Sequence, residues 1–173
     1  MKSTLTFLFL LLLTSPLISK APDEKLKISH LTGDFYIYTT YRLLDGSPFP
    51  ANGMYVITND GAIIIDSPWD TTQFQPLLDS IASKHKSKAV LCIATHSHSD
   101  RTAGLEFYAK QGIKTFTSMQ TDSISLVKNE KRAEFHFEND TTFTVGQYSF
   151  QTLYAGGGHT SDNIVIWFEH EKI

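Results

Sequence analysis

The run Ala89-Val90-Leu91-Cys92-Ile93-Ala94 holds no polar side chain over the length of a strand. Such a run belongs to a strand buried on both faces, so the sheet that contains it must be covered on two sides. Upstream, Phe35 to Tyr41, Met54 to Thr58 and Ala62 to Asp66 are rich in β-branched and aromatic residues, with Asn59-Asp60-Gly61 as a turn. They predict an antiparallel meander. Between the first two strands, residues 42–53 place Asp45-Gly46, Pro48 and Pro50 around Leu43, Leu44 and Phe49. This predicts a long hairpin loop with exposed apolar side chains, either a flap over a binding site or a lid folded on its own core.

Helical spacing appears at Phe74, Leu77, Leu78, Ile81 and Ala82 within Thr71 to Lys84, preceded by Asp70 as a candidate cap. Further helices are predicted over Arg101 to Gln111, ended by Gly112, and over Thr121 to Asn129. Thr115 to Thr117 reads as a short strand, Thr142 to Val145 and Tyr148 to Tyr154 as a hairpin around Gly146, and Asn163 to Phe168 as a strand. Strands first, then strands alternating with helices, predict an α/β sandwich of sheet and helix rather than an all-β barrel. Glu169 to Lys172 reads as a turn and Ile173 as the first residue of another strand, so the chain is expected to be the N-terminal part of a longer protein.

Composition narrows the function classes. The 173 residues carry 15 Lys+Arg against 18 Asp+Glu, a formal net charge of −3, with no long basic run. One domain is the default, and nucleic acid is not an expected partner. A single cysteine, Cys92, excludes an intramolecular disulfide framework and a CxxC zinc ribbon, leaving metal binding to His and carboxylates. Lys2, the apolar run Leu5 to Leu13, Ser15-Pro16 and the small residues Ser19 and Ala21 read as a secretory signal peptide over residues 1–19, cleaved after 19 or 21. The run is too short for a stable membrane anchor, which needs about 20 apolar residues. The expected product is a periplasmic domain over residues 22–173.

The chemistry concentrates in Thr95-His96-Ser97-His98-Ser99-Asp100-Arg101, directly after the buried strand. If extended geometry persists, alternate residues share a face, and His96, His98 and Asp100 can project toward one point. Two imidazoles and a carboxylate suit Zn²⁺. An isolated His-x-His pair does not decide the matter, but its place at the carboxyl end of a sheet strand favours a site. Gly156-Gly157-Gly158-His159-Thr160-Ser161-Asp162-Asn163 delivers a further histidine at the start of another strand. Its glycines lack the Gly-Lys-Ser/Thr of a phosphate loop and are read as backbone packing beneath a ligand-bearing loop.

With Ile65-Asp66-Ser67-Pro68-Trp69 upstream and Gly158-His159-Thr160 downstream, His-x-His-x-Asp-Arg resembles the metallo-β-lactamase family. Arg101 stands where glyoxalase II, lactonases and RNA-processing members of the wider superfamily place a metal-binding histidine, so the likeness is to the true β-lactamases. The resemblance implies an αββα sandwich with its zinc site at one edge, here without its C-terminal part, and hydrolysis of penicillins, cephalosporins and carbapenems; a monomer is the separate expectation. It implies a three-histidine zinc site at His96, His98 and His159, and a second zinc at Asp100. Asp100 would orient the attacking hydroxide and, through its metal, help stabilise the leaving nitrogen. Asp66 is read as hydrogen bonding to the ligand loop, with a simple strand-end turn carboxylate as the alternative. Leu44 and Phe49 are the candidate substrate lid.

The family's second zinc also takes a cysteine and a histidine, with a substrate-gripping lysine nearby, all expected beyond residue 173. Cys92 lies inside the buried strand and is read as a core thiol. His30, His85, His136 and His170 match no motif position. Two zincs are therefore expected in a full-length parent and one complete site in this chain. Two other readings stay open: a hydrolase of the same superfamily acting on a thioester or lactone, and a non-catalytic periplasmic zinc-binding protein.

Overall fold

A computed structural model describes residues 26–138 and 140–173; the signal-peptide expectation falls on residues 1–21, outside them. Four strands open the fold as a meander: β1 (Lys27–Thr32), β2 (Phe35–Leu44), β3 (Ser47–Thr58) and β4 (Gly61–Ile65). Helix α1 (Phe74–His85) crosses to β5 (Ala89–Ile93), which lies parallel to β4. Two short helices, α2 (Ser99–Thr102) and α3 (Leu105–Lys110), lead to β6 (Lys114–Ser118), and α4 (Met119–Lys128) leads to β7 (Phe135–Phe137). These seven strands form one sheet in sequence order, antiparallel to β4 and parallel after it. A second sheet follows from β8 (Thr141–Val145), β9 (Tyr148–Leu153) and β10 (Val165–Trp167), in the order β10-β9-β8.

The buried strands sort their side chains with the two-residue period of the pleat. Ala62, Ile64, Cys92 and Ala94 face one cluster with Phe74, Leu77 and Ile81 of α1 and Leu105 and Tyr108 of α3. Ile63, Ile65, Leu91 and Ile93 face the other, which meets Phe143 and Phe150 of the small sheet and Phe168 just beyond it. The layers are thus helix, sheet, sheet among the described residues, and the all-apolar β5 is covered on both sides as its sequence requires. Cys92 is fully buried in the first cluster, as a core thiol.

The expected long loop over residues 42–53 is not a loop. β2 and β3 stay paired to Leu44↔Ser47, closed by the two-residue turn Asp45-Gly46, both at positive φ. That is the turn whose twist matches paired strands. The prolines are tolerated because the closing pair is hydrogen-bonded and opposed pairs alternate from there. Pro48↔Leu43 and Pro50↔Tyr41 consequently fall at positions whose backbone faces away from the partner strand. Tyr41 confirms this parity: its N–H donates to Gln73 Oε1 at 3.1 Å and its carbonyl accepts from Gln73 Nε2 at 2.8 Å, both outside the ladder.

The helix expected over Arg101 to Gln111 begins earlier and is broken. It starts at Ser99 and divides at Ala103-Gly104, because Ser67 Oγ accepts from Gly104 N at 2.8 Å and draws the chain toward β4. A Cβ on Gly104 would stand 2.9 Å from Ser67 Cβ, so only glycine permits that approach. Asp70 caps as expected, but over a 3-10 turn at Thr71–Gln73 ahead of α1. No helix among the described residues is long and apolar enough to cross a membrane.

Candidate metal centre

Parallel strands β4, β5 and β6 end on one side of the large sheet, and the chemistry gathers there, where open α/β sheets place their sites. Beyond β5 the backbone carries His96 and His98 outward, and the loop between β9 and β10 brings His159 across to them. One ring nitrogen from each lies within 4.8 Å of those of the other two. The ring centroids stand 4.9, 5.0 and 5.0 Å apart, with interplanar angles of 75°, 79° and 86°. His159 Nε2 and His98 Nδ1 approach to 3.2 Å. Tetrahedral nitrogen ligands about 2.1 Å from zinc stand about 3.4 Å from one another, so the cluster needs little contraction to hold an ion.

His96 supplies the test of fit. It is buried, its Nδ1 meets Thr95 Oγ1 at 3.2 Å, and its Nε2 has no hydrogen-bond partner. An unpartnered buried nitrogen on a ring that stands 4.9 and 5.0 Å from two other imidazoles is costly unless something else binds it. Burial, followed by Arg101 and the neighbouring imidazoles, pushes the His96 pKa down to about 4. The ring is therefore neutral near pH 7, the form that ligates metal. Charge, geometry and the orphaned nitrogen all fit a cation.

Asp100 does not join this cluster. The expectation that His96, His98 and Asp100 converge required an extended chain, but the backbone turns into α2 at Ser99, and Asp100 lies in its first turn. Its carboxylate pairs with Arg101 Nη2 at 3.2 Å, and His159 takes the third corner instead. Asp66 behaves as the ligand-loop partner rather than as a plain turn residue. Its Oδ1 accepts from Thr95 N at 2.7 Å and its Oδ2 from Thr95 Oγ1 at 3.1 Å, so it braces the residue that touches His96. Burial raises the Asp66 pKa to about 6, against the pull of Arg101 and the Thr95 hydrogen bonds. Arg101 Nη1 lies 3.5 Å from Asp66 Oδ2 and also donates to the Asn52 carbonyl. It thereby ties β3, β4 and α2 together.

Several residues of the centre escaped the sequence reading as functional parts. Asp162 is buried and its Oδ2 accepts from Ser97 N at 2.8 Å, fastening the His159 loop to the His96–His98 segment. Ile164 N donates to the Thr95 carbonyl at 3.0 Å alongside. Asn163 Oδ1 accepts from Gly158 N at 3.0 Å and Thr160 N at 3.1 Å, folding the loop about His159. An Asx residue that bonds back to nearby backbone is a readable turn signal, and Asn163 ahead of an apolar strand carried it. Of the glycines, Gly156 is needed for its conformation, at φ +97°. The other histidines lie elsewhere: His85 Nε2 is 3.0 Å from Tyr55 Oη, and His30 Nε2 is 2.8 Å from the Gly33 carbonyl.

Leu44 and Phe49 sit at the tip of the β2–β3 hairpin, both exposed, Phe49 at 56%. Phe49 meets the Trp69 ring edge-on at 6.2 Å, and Trp69 Nε1 donates to Ser99 Oγ at 3.0 Å, one residue past His98. The hairpin therefore reaches the rim of the centre.

No family model matches the chain. Among curated proteins it is 42% identical over 149 residues to a type 2 metallo-β-lactamase of Elizabethkingia meningoseptica, covering 86% of this chain and 60% of that protein. It is 31% identical over 168 residues to the metallo-β-lactamase IND-1 of Chryseobacterium indologenes, covering 97% of this chain and 70% of that protein. A solved metallo-β-lactamase from Pontibacter korlensis superposes with a TM-score of 0.80 at 30% identity, over 85% of this chain and 68% of the other. The chain thus spans 60 to 70% of the length of these relatives. An identity of 31% over 70% of one relative's length, with a solved structure superposing at a TM-score of 0.80 over 68% of its own, makes the chain, with its helix-covered sheet packed on a second sheet, a member of the metallo-β-lactamase family.

Proposed function

We propose that the protein carrying this chain is a zinc hydrolase that opens the β-lactam ring of penicillins, cephalosporins and carbapenems. The observation that carries the reading is the buried, neutral His96 with its unpartnered Nε2, set among His98 and His159. Zinc held by three protein ligands keeps a coordination position open and supplies a polarised carbonyl and a water ionised near neutral pH. This chain's own residues do the positioning. His96, His98 and His159 hold the ion; Thr95 and Asp66 fix the His96 ring; Asp162 and Asn163 fix the loop that presents His159. Asp100, in the first turn of α2 two residues past His98, would orient the nucleophile and would be a ligand of a second zinc, one that needs a cysteine and a histidine besides.

Arg101 favours a lactam over a thioester or lactone substrate, since the position after Asp100 serves as a structural tie and not as a ligand. Export to the periplasm through residues 1–21, and action as a monomer on a small β-lactam, complete the proposal. The test is turnover of a chromogenic cephalosporin by the purified protein, lost on chelation and restored by zinc. Zinc binding without hydrolysis of any β-lactam would reduce the protein to a metal-binding one, and hydrolysis of a thioester or lactone in its place would move it to another branch of the superfamily.

The hairpin tip supplies a second expected result. If Leu44 and Phe49 close over apolar groups of bound substrate, replacing both with Ser raises KM more than it lowers kcat. Steady-state kinetics across several β-lactams checks this, and an unchanged KM would leave the tip without a part in binding.

A further inference from the structure

The β2–β3 hairpin is held in two places. Near its base, Gln73 clamps both the N–H and the carbonyl of Tyr41, and Arg101 donates to the Asn52 carbonyl. Beyond that level, β1 pairs with β2 only as far as Thr39, and β4 pairs with β3 only from Met54. The segment from Arg42 to Phe49 therefore extends past its neighbouring strands. Among the described residues its remaining hold is through side chains. Arg42 and Phe49 are direct cross-strand partners, so their side chains leave the same face of the hairpin. Both reach Trp69: the Arg42 guanidinium carbon stands 5.3 Å from the indole centroid, and the Phe49 ring meets it at 6.2 Å. The indole cannot follow a moving hairpin freely, because its Nε1 is bonded to Ser99 Oγ.

We propose that Arg42 is a positioning residue, a cation–π latch on Trp69 that sets how closely the hairpin tip approaches the rim of the three-histidine centre. The base clamp at Tyr41 and Asn52 acts as the hinge, and the latch biases the tip toward the closed position. An exposed cation–π contact of about 0.5–1 kcal/mol corresponds to a change of about two- to fivefold in the closed-to-open ratio. The charge is the operative feature, since Phe49 supplies apolar contact on the same ring without it.

Trp69 and Trp167 are the only tryptophans in these 173 residues, so in this chain Trp167→Phe leaves Trp69 as the sole indole reporter. In that background Arg42→Met keeps a long covering side chain and removes the charge, whereas Arg42→Lys keeps the charge. Acrylamide quenching of Trp69 is expected to increase about twofold in Arg42→Met and to stay near the parent value in Arg42→Lys. Equal quenching in the Met variant and the parent would overturn the latch, as would a Lys variant as open as the Met one. If Trp167→Phe fails to fold, the indole N–H resonances of ¹⁵N-tryptophan-labelled protein give the same comparison with both indoles present, read as solvent exchange of the Trp69 N–H. The consequence for catalysis rests on the β-lactamase reading: Arg42→Met should raise KM about two- to fivefold with little change in kcat. The indole measurement does not depend on that reading, so loss of the latch and loss of the proposed activity are separately visible.

Discussion

His98→Ala is expected to reduce β-lactam turnover about a thousandfold or more while leaving the melting temperature within about 3 °C of the parent. Two of three nitrogen ligands hold zinc poorly, and everything the ion supplies to the reaction goes with it. The fold should tolerate the change because His98 is half-buried in a connecting segment. It stands at the N-cap position of α2, but its side chain makes no capping bond. Circular dichroism and chromogenic turnover of the same preparation separate the two effects. Activity near the parent level would remove His98 from the centre, and a collapsed fold would make it a structural residue instead.

Asp66→Ala is expected to act on stability and metal together. It removes the acceptor for the N–H and hydroxyl of Thr95 and leaves Arg101 without its buried partner, in a backbone conformation at φ 64° that favours Asp or Asn over Ala. The cost should be about 3 kcal/mol, or about 6–12 °C in melting temperature for a chain of this size. Zinc affinity should fall about 10- to 100-fold, because Thr95 no longer fixes the His96 ring. Asp66→Asn, which keeps an acceptor for Thr95 N, should recover part of both losses.

The Asn variant also exposes a pH effect. Asp66 has a raised pKa of about 6, so its stabilising contribution is full below about pH 4 and lost as pH rises through 6. His96, lowered to about 4, does the reverse: its contribution is present above about pH 6.5 and lost as pH falls toward 4. The two oppose each other between pH 4 and 6. In metal-free protein, Asp66→Asn should therefore lose stability on acidification more steeply than the parent, and parallel melting curves from pH 7 to 4.5 would contradict this.

Local pattern carried most of this architecture. The apolar run at Ala89 to Ala94 demanded cover on both faces and has it. Asp45-Gly46 held the information for a tight hairpin, and it was masked by Pro48 and Pro50, whose tolerance depends on pairing parity that only the assembled ladder reveals. Phe135-His136-Phe137 went unread as β7 because three residues among charged neighbours give no period to detect. At the centre, residue types and the strand-end position made His96, His98 and His159 legible. Asp100 falls outside the histidine cluster because a helix start at Ser99 replaces the alternating face of a strand with the turn of a helix. The bracing by Asp162 spans from Ser97 across 65 residues of sequence, a tertiary contact that no local spacing encodes.

The central claim is that His96, His98 and His159 form one complete zinc site within these 173 residues. Native mass spectrometry of the chain equilibrated with zinc and then freed of excess measures it directly. The account predicts one tightly held zinc per chain in the parent and none in His159→Ala. A parent that retains no zinc, a parent that retains two, or a His159→Ala variant that keeps its ion would contradict it.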